Sequence, residues 1–177
     1  MFLAFQKLVT STEGYGLIIF DMPPTALSLK FFMLPQLSLH WIDQLIKLRE
    51  KVRQKKEVIS KIKLGKMEIE QDKVLKTLYR QKEHYQQFDT FFKDHEKCHI
   101  HVVTNNDKLS MNEALHIVRE LKSTGIAPVK TMVNKTGHET KAKGLENIPH
   151  AFLPDLTGRV DDLESLEKMA LLFSHQG

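Results

Sequence analysis

Gly16-Leu-Ile-Ile-Phe-Asp21-Met-Pro-Pro-Thr25-Ala-Leu-Ser-Leu-Lys30-Phe-Phe-Met-Leu34 is the stretch on which the reading of this chain turns. Leu17 to Phe20 are apolar without interruption and end at Asp21. A strand buried on both faces of a parallel sheet reads this way, with a carboxylate at its C-terminal edge. Ligands of open α/β sheets bind outside such edges. Pro23 and Pro24 stop the strand, because neither can donate to a ladder. Beyond them the spacing of Leu27, Phe31 and Leu34 becomes helical. Strand, acid, stiff turn and helix together suit an edge that meets a magnesium-bound nucleotide, with Asp21 as the metal-side carboxylate.

Working outward, 177 residues can bury one good core, so a single domain over 1–177 is expected. Charged residues make up 27% and hydrophobic ones 41%, ordinary for a globular chain. The net charge of +4 is uneven: Lys47–Lys66 holds nine Lys or Arg against Glu50 and Glu57. Such a basic helix can meet phosphates or anionic lipid, and is more often a solvated face. The single cysteine, Cys98, excludes an internal disulfide and fits a reducing compartment. No apolar run reaches membrane-spanning length, and the first residues lack the basic region of a secretion signal, so a cytoplasmic protein is expected.

Phe2, Phe5, Leu8 and Val9 are spaced along one face of a short helix. The helix after the double proline is expected to end near Pro35, and Ser38 to cap a long helix with a stripe of Ile42, Leu45, Leu48, Val52, Ile59 and Ile62. Gly65 breaks it, and Val74, Leu75, Leu78, Tyr85, Phe88, Phe91 and Phe92 mark a second helix. The pair reads as a helical hairpin over 38–94, its core closed by Trp41, Phe91 and Phe92. Residues 98–104 read as a strand broken by Asn105-Asn-Asp107. Ser110 to Glu113 reads as a capping box for a helix that buries Ala114, Leu115, Val118 and Leu121 and stops at Gly125. Val129–Val133 is the next strand, closing at Asn134, and Ile148–Leu153 a last one. Asp161 or Asp162 caps a final helix with Leu163, Leu166, Met169 or Ala170, and Phe173 inward. His95, Cys98, His99 and His101 do not make a good tetrahedral set, because strand alternation puts Cys98 opposite His99 and His101. No nucleophile-elbow signature is present.

The segment Asp21-Met-Pro-Pro24-Thr25-Ala-Leu-Ser-Leu-Lys30 resembles the Walker B and switch II segment of the ArsA-type anion-transporting ATPases. That family includes the ATPase that targets tail-anchored membrane proteins. Against the family's Asp-Thr-Ala-Pro-Thr-Gly-His-Thr-Leu-Arg, Asp21, Pro24, Thr25 and Leu29 match, Ser28 and Lys30 are conservative, and Ala26 and Leu27 replace Gly and His. Trp41 to Glu50 is similar to the helix after switch II. Met132-Val-Asn134-Lys135 is similar to the strand end where an Asn amide pairs with adenine. Ile148 to Pro154 resembles the loop that packs over the base. The resemblance implies an α/β fold: a partial P-loop NTPase of SIMIBI type, a parallel sheet flanked by helices, with 38–94 an inserted helical hairpin. It implies a nucleotide site drawn from Asp21, Pro24, Thr25, Asn134 and Pro154, with ATP and Mg²⁺ as cofactors and the Mg²⁺ held by Asp21 through water.

Family members open with a glycine-rich phosphate loop and switch I, and no G-x-x-x-x-G-K-[ST] occurs in these residues. The chain therefore resembles the C-terminal half of such an ATPase. It is expected to bind nucleotide weakly, to hydrolyse none alone, and to take an N-terminal half or second subunit as partner. In the family order the phosphate-loop strand lies between the Walker B strand and residues 98–104. Leu17–Phe20 is thus expected either to pair with Ile100–Val103 or to leave an apolar edge. The resemblance also admits a helical or membrane-protein client, while nothing points to nucleic acid. The alternative reading is a non-catalytic interaction module that uses the basic amphipathic hairpin to hold a helix or an acidic surface.

Overall fold

The computed structural model describes residues 2–11, 14–23, 25–64, 72–136, 148–155 and 162–174. The chain divides into two compact units, Met1–Asp94 and His95–Gly177.

The first unit is helical. Helix α1 is Phe2–Ser11, α2 is Thr25–Leu64 and α3 is Lys73–Lys93. Helix α2 runs straight through Pro35, so neither the expected stop there nor the cap at Ser38 occurs. Pro35 cannot donate to the carbonyl four residues back, a cost of about 3 kcal/mol in a helix interior. Its ring is fully buried, and Phe31 and Ile42 on either side are buried too, so packing offsets the missing bond.

Helix α3 begins at Asp72, whose carboxylate accepts from the Val74 and Leu75 N–H groups. The same carboxylate accepts from Arg49 Nε at 2.8 Å, tying the start of α3 to the middle of α2. Further along, Tyr79 Oη donates to Glu50 Oε1 at 2.9 Å and Lys82 Nζ meets Asp43 Oδ1 at 2.7 Å. From Arg49–Asp72 through Asp43–Lys82 to the Phe31–Phe92 ring pair, α2 runs back as α3 runs forward, so the two helices are antiparallel. Ile42, Ile46 and Leu75 form the core between them, with Leu78 and Tyr85 packed against it. The stripe expected on α2 is off by part of a turn. Leu45, Leu48, Val52 and Ile59 are exposed, and Trp41, expected to close the core, is 61% exposed.

An aromatic cluster docks α1. Phe2 and Phe5 meet Phe31 of α2 and Phe88 of α3, with ring centroids 5.2–6.1 Å apart. Phe92, at 2% exposure the most deeply buried of these rings, closes on Phe5 and Phe31. Phe5 also packs on Phe20 at 4.8 Å, which holds the end of the opening apolar run.

That run is not a strand. Leu17–Phe20 has no regular structure, and Leu17 and Ile19 are 77% and 84% exposed. Both expectations for it assumed a strand and neither holds: the run forms no strand and so no sheet edge, and it is exposed. A strand needs a neighbour to take its N–H and C=O groups, and four apolar residues cannot supply that for themselves.

The second unit is α/β. Strand β1 (His101–Asn105), helix α4 (Lys108–Ser123), strand β2 (Lys130–Thr136) and strand β3 (His150–Pro154) give a parallel sheet in the order β1-β2-β3. Val102 of β1 packs on Ala114 and Val118 of α4, and Val133 of β2 on Met111, with Leu115 and Phe152 against that pair. Helix α4 therefore packs on one face of the sheet, over β1 and β2. Helix α4 is capped by Asp107 rather than Ser110. Asp107 Oδ1 accepts from the Leu109 and Ser110 N–H groups, and the Ser110 hydroxyl donates to Asp107 Oδ2 at 2.6 Å. Serine three residues inside the helix has become the partner of the cap. At the other end Gly125, with φ +82°, donates to the Lys122 carbonyl, and the Ile126 N–H reaches the Leu121 carbonyl. This double bond pattern with Leu121 and Ile126 both buried is a Schellman motif, and the positive φ is why glycine stands there.

Helix α5 spans Leu163–Ser174, and Asp162 Oδ1 accepts from the Ser165 N–H at its start. Leu163, Leu166 and Ala170 are exposed rather than inward. The side chains of Met169 and Phe173 lie outside the described residues, as does Gly65. No helix among the described residues is long and apolar enough to cross a membrane.

Candidate functional site

In a parallel sheet all carboxyl ends share one rim, and here that rim is built by the ends of β1, β2 and β3. It carries Asn105 at the end of β1 with Asn106 and Asp107 after it, Asn134 and Lys135 in β2, and Pro154 and Asp155 at the end of β3. Asn105 and Asn134 are register partners, so two amide side chains stand side by side on neighbouring strands. The expected strand Val129–Val133 runs on to Thr136, which puts Asn134 inside the strand rather than just past it.

Asn134 is fixed by a local irregularity. The pairing of β2 with β3 steps from Val133 opposite Phe152 to Thr136 opposite Pro154, so Asn134 and Lys135 share the space of one partner residue. Lys135 takes φ +56°, and its N–H donates to Asn134 Oδ1 at 2.9 Å. The Asn134 carbonyl accepts from the Asn106 N–H at 3.2 Å. Below the bulge, the buried Thr136 hydroxyl donates to the Leu153 carbonyl and the Asp155 N–H to the Thr136 carbonyl, which anchors Pro154 beside β2. A lysine in the left-handed region costs about 1–2 kcal/mol and persists where the surroundings over-determine it, a common state of affairs at functional rims.

The chemistry available follows from the donor inventory. Asn134 Oδ1 has spent one lone pair on Lys135. Its NH₂ and remaining lone pair still form a donor–acceptor edge, and Asn105 adds a second. Two adjacent amides suit a planar, hydrogen-bonding heterocycle. They suit a phosphate poorly, and the amino end of α4 is already filled: Asp107 is held below the ordinary carboxylate range first by the Ser110 hydroxyl and then by the Ser110 and Leu109 N–H groups. Asn105 was visible in the sequence only as a strand breaker; its role as neighbour of Asn134 depends on register, and the strained Lys135 left no sequence signal.

The other expected site residues belong to the first unit. Asp21 is exposed and follows Phe20, which is held by Phe5. Thr25 is the first residue of α2, and the Ser28 hydroxyl donates to the Pro23 carbonyl at the helix entrance. Pro24 lies outside the described residues. No three His, Cys, Asp or Glu side chains converge among the described residues. A lone exposed carboxylate fits Mg²⁺ only in the mode where water and phosphate oxygens complete the shell. His99 and His101 are both exposed; His101 is pushed toward its neutral form by partial burial, then by His99 and Lys130.

Comparison with known proteins matches residues 1–151 to a family described as anion-transporting ATPase. The chain is also 25% identical over 171 residues to a protein of Aquifex aeolicus (strain VF5) named "Putative arsenical pump-driving ATPase 2". That alignment covers 94% of this chain and 54% of the relative, so the chain spans about half the length of the protein it matches.

Proposed function

Because the chain belongs to the ArsA-type anion-transporting ATPase family, we propose that it supplies the base-reading and metal-side portion of an ATP site. Asn134, with Asn105 beside it, reads the adenine edge, and Pro154 packs at the rim next to it. Asp21 stands at the metal side, with Pro24 and Thr25 in a switch segment that runs to Lys30. Bound MgATP supplies the phosphoryl chemistry. This chain's residues orient the base and offer one carboxylate to the hydrated metal. The proposal treats 1–177 as one nucleotide-binding domain with 38–94 inserted in it, working in the cytoplasm beside an N-terminal half or second subunit that carries the phosphate cradle.

The observation that supports this reading best is the paired Asn105 and Asn134 on a parallel carboxyl rim, in a segment the family match covers. The cradle of lysine and backbone N–H groups supplies most of the binding in P-loop enzymes. Calorimetric titration of MgATP should therefore give weak binding to the chain alone and tighter binding once an N-terminal half from a relative is supplied. Asn134→Ala should weaken the second titration without changing the fold. Turnover by the purified chain alone, abolished by Asp21→Ala, refutes the proposal, as does unchanged binding by Asn134→Ala.

A further inference from the structure

Helix α2 sorts its side chains by charge as well as by polarity. Its acids between Thr25 and Ile59 are Asp43, Glu50 and Glu57, each seven residues from the next and so on one face. That is the face of α3, where Asp43 meets Lys82 and Glu50 accepts from Tyr79; Glu57 pairs with Arg53 on α2 itself. The opposite face carries Leu37, Trp41, Leu45, Leu48, Val52 and Ile59, at steps of three, four and seven, all exposed. Lys30, Lys51, Lys55 and Lys56 border this stripe, all exposed, while Lys47 lies toward the acidic face, where its charge acts on Asp43.

An apolar ridge with a tryptophan, bordered by lysines, matches a helix that lies in the interface of a bilayer. Trp is favoured at headgroup depth, and lysine stems can run along the apolar ridge while their ammonium groups reach the phosphates. A second copy of the same face fits poorly, because two rows of lysines would oppose each other. We propose that the outward face of α2 docks on an anionic lipid surface. The inference does not depend on the nucleotide reading.

Trp41, the single tryptophan of the chain, is the probe. The full chain is mixed with vesicles of phosphatidylcholine alone, or of phosphatidylcholine and phosphatidylserine in a two-to-one ratio, and followed by co-sedimentation and Trp41 emission. Expected are co-sedimentation and a blue shift with the anionic vesicles only. Lys51→Glu/Lys55→Glu/Lys56→Glu should lower the partition coefficient by about a hundredfold or more, at roughly one kcal/mol per lysine near the surface. Leu45→Glu/Leu48→Glu should abolish the shift while the circular dichroism of the helices stays unchanged, since both residues are exposed. The proposal is overturned by absence of binding to anionic vesicles or by equal binding to neutral ones. It is also overturned by a dimer whose Trp41 emission is already blue without lipid, or by a shift produced by an acidic amphipathic peptide and not by vesicles.

Discussion

Phe5→Ala tests how the first unit is held together and what positions the Asp21 segment. The Phe5 ring is buried and lies 4.8 Å from Phe20, 5.2 Å from Phe31, 5.7 Å from Phe92, 6.1 Å from Phe88 and 6.3 Å from Phe91. Burying a phenylalanine contributes about 1.5–3 kcal/mol by transfer alone. Ring pairs add about 0.5–1.5 kcal/mol each, though five around one ring do not sum. With the cavity left behind, the expected loss is about 3–5 kcal/mol. A domain is stable by only about 5–15 kcal/mol, so the variant should be marginal. In urea, with a slope of about 1–3 kcal/mol per molar, the midpoint should fall by roughly 1 M or more. Trp41 emission reports the transition from within the first unit, and far-ultraviolet circular dichroism checks it. Phe5→Leu, which keeps much of the volume, should fall between the two. A change in Phe5→Ala within about 0.5 kcal/mol, the range of an ordinary surface substitution, would refute the docking of α1 through this ring.

Thr131 Oγ1 is fully buried in β2 with no hydrogen-bond partner among the described residues, so Thr131→Val should raise stability by about 1 kcal/mol in the same denaturation assay. Gly125→Ala forces a Cβ into φ +82° and should cost about 1–2 kcal/mol, with Gly125→Asn costing less. Asp107→Ala should lower the thermal midpoint more than Asp107→Asn, because an asparagine can still cap α4. Asp72 is held below the ordinary carboxylate range, first by Arg49 and then by the Leu75 and Val74 N–H groups. A depressed folded-state value lends stability that is whole above the unfolded carboxylate range and is lost as pH falls through the folded value. Asp72→Asn should therefore flatten the acid limb of the stability–pH profile, and an unchanged limb would refute the assigned contact.

What could be read from residues alone was whatever a short segment decides for itself. Helix α4 and its glycine stop were legible because helical spacing and left-handed backbone are local properties. So were the aromatic and aliphatic rows that became α1 and α3, and a cap at Asp161 or Asp162, of which Asp162 accepts from the Ser165 N–H. The family resemblance carried by Asp21 to Lys30 was legible too, because it rests on residue identities in order.

The errors share one cause: each needed a partner distant in the chain. Leu17–Phe20 reads as a strand by composition, yet strand state depends on a neighbour to accept its hydrogen bonds, and none of that is written in four apolar residues. Pro35 reads as a stop, but Phe31, Ile42 and the aromatic cluster lent enough packing to carry α2 through it. The α2 stripe was misassigned because an amphipathic helix with two apolar edges does not say which edge meets α3; Asp43 and Arg49, facing Lys82 and Asp72, settled that. Ser110 looked like a cap, but Asp107, three residues earlier, starts the helix by accepting from the Leu109 and Ser110 N–H groups. At the candidate site, sequence named Asn134, while only the register of β1 on β2 set Asn105 beside it, and only the bulge against β3 put Lys135 into its strained backbone. Side-chain identity is local; adjacency across strands and helices is a property of the fold.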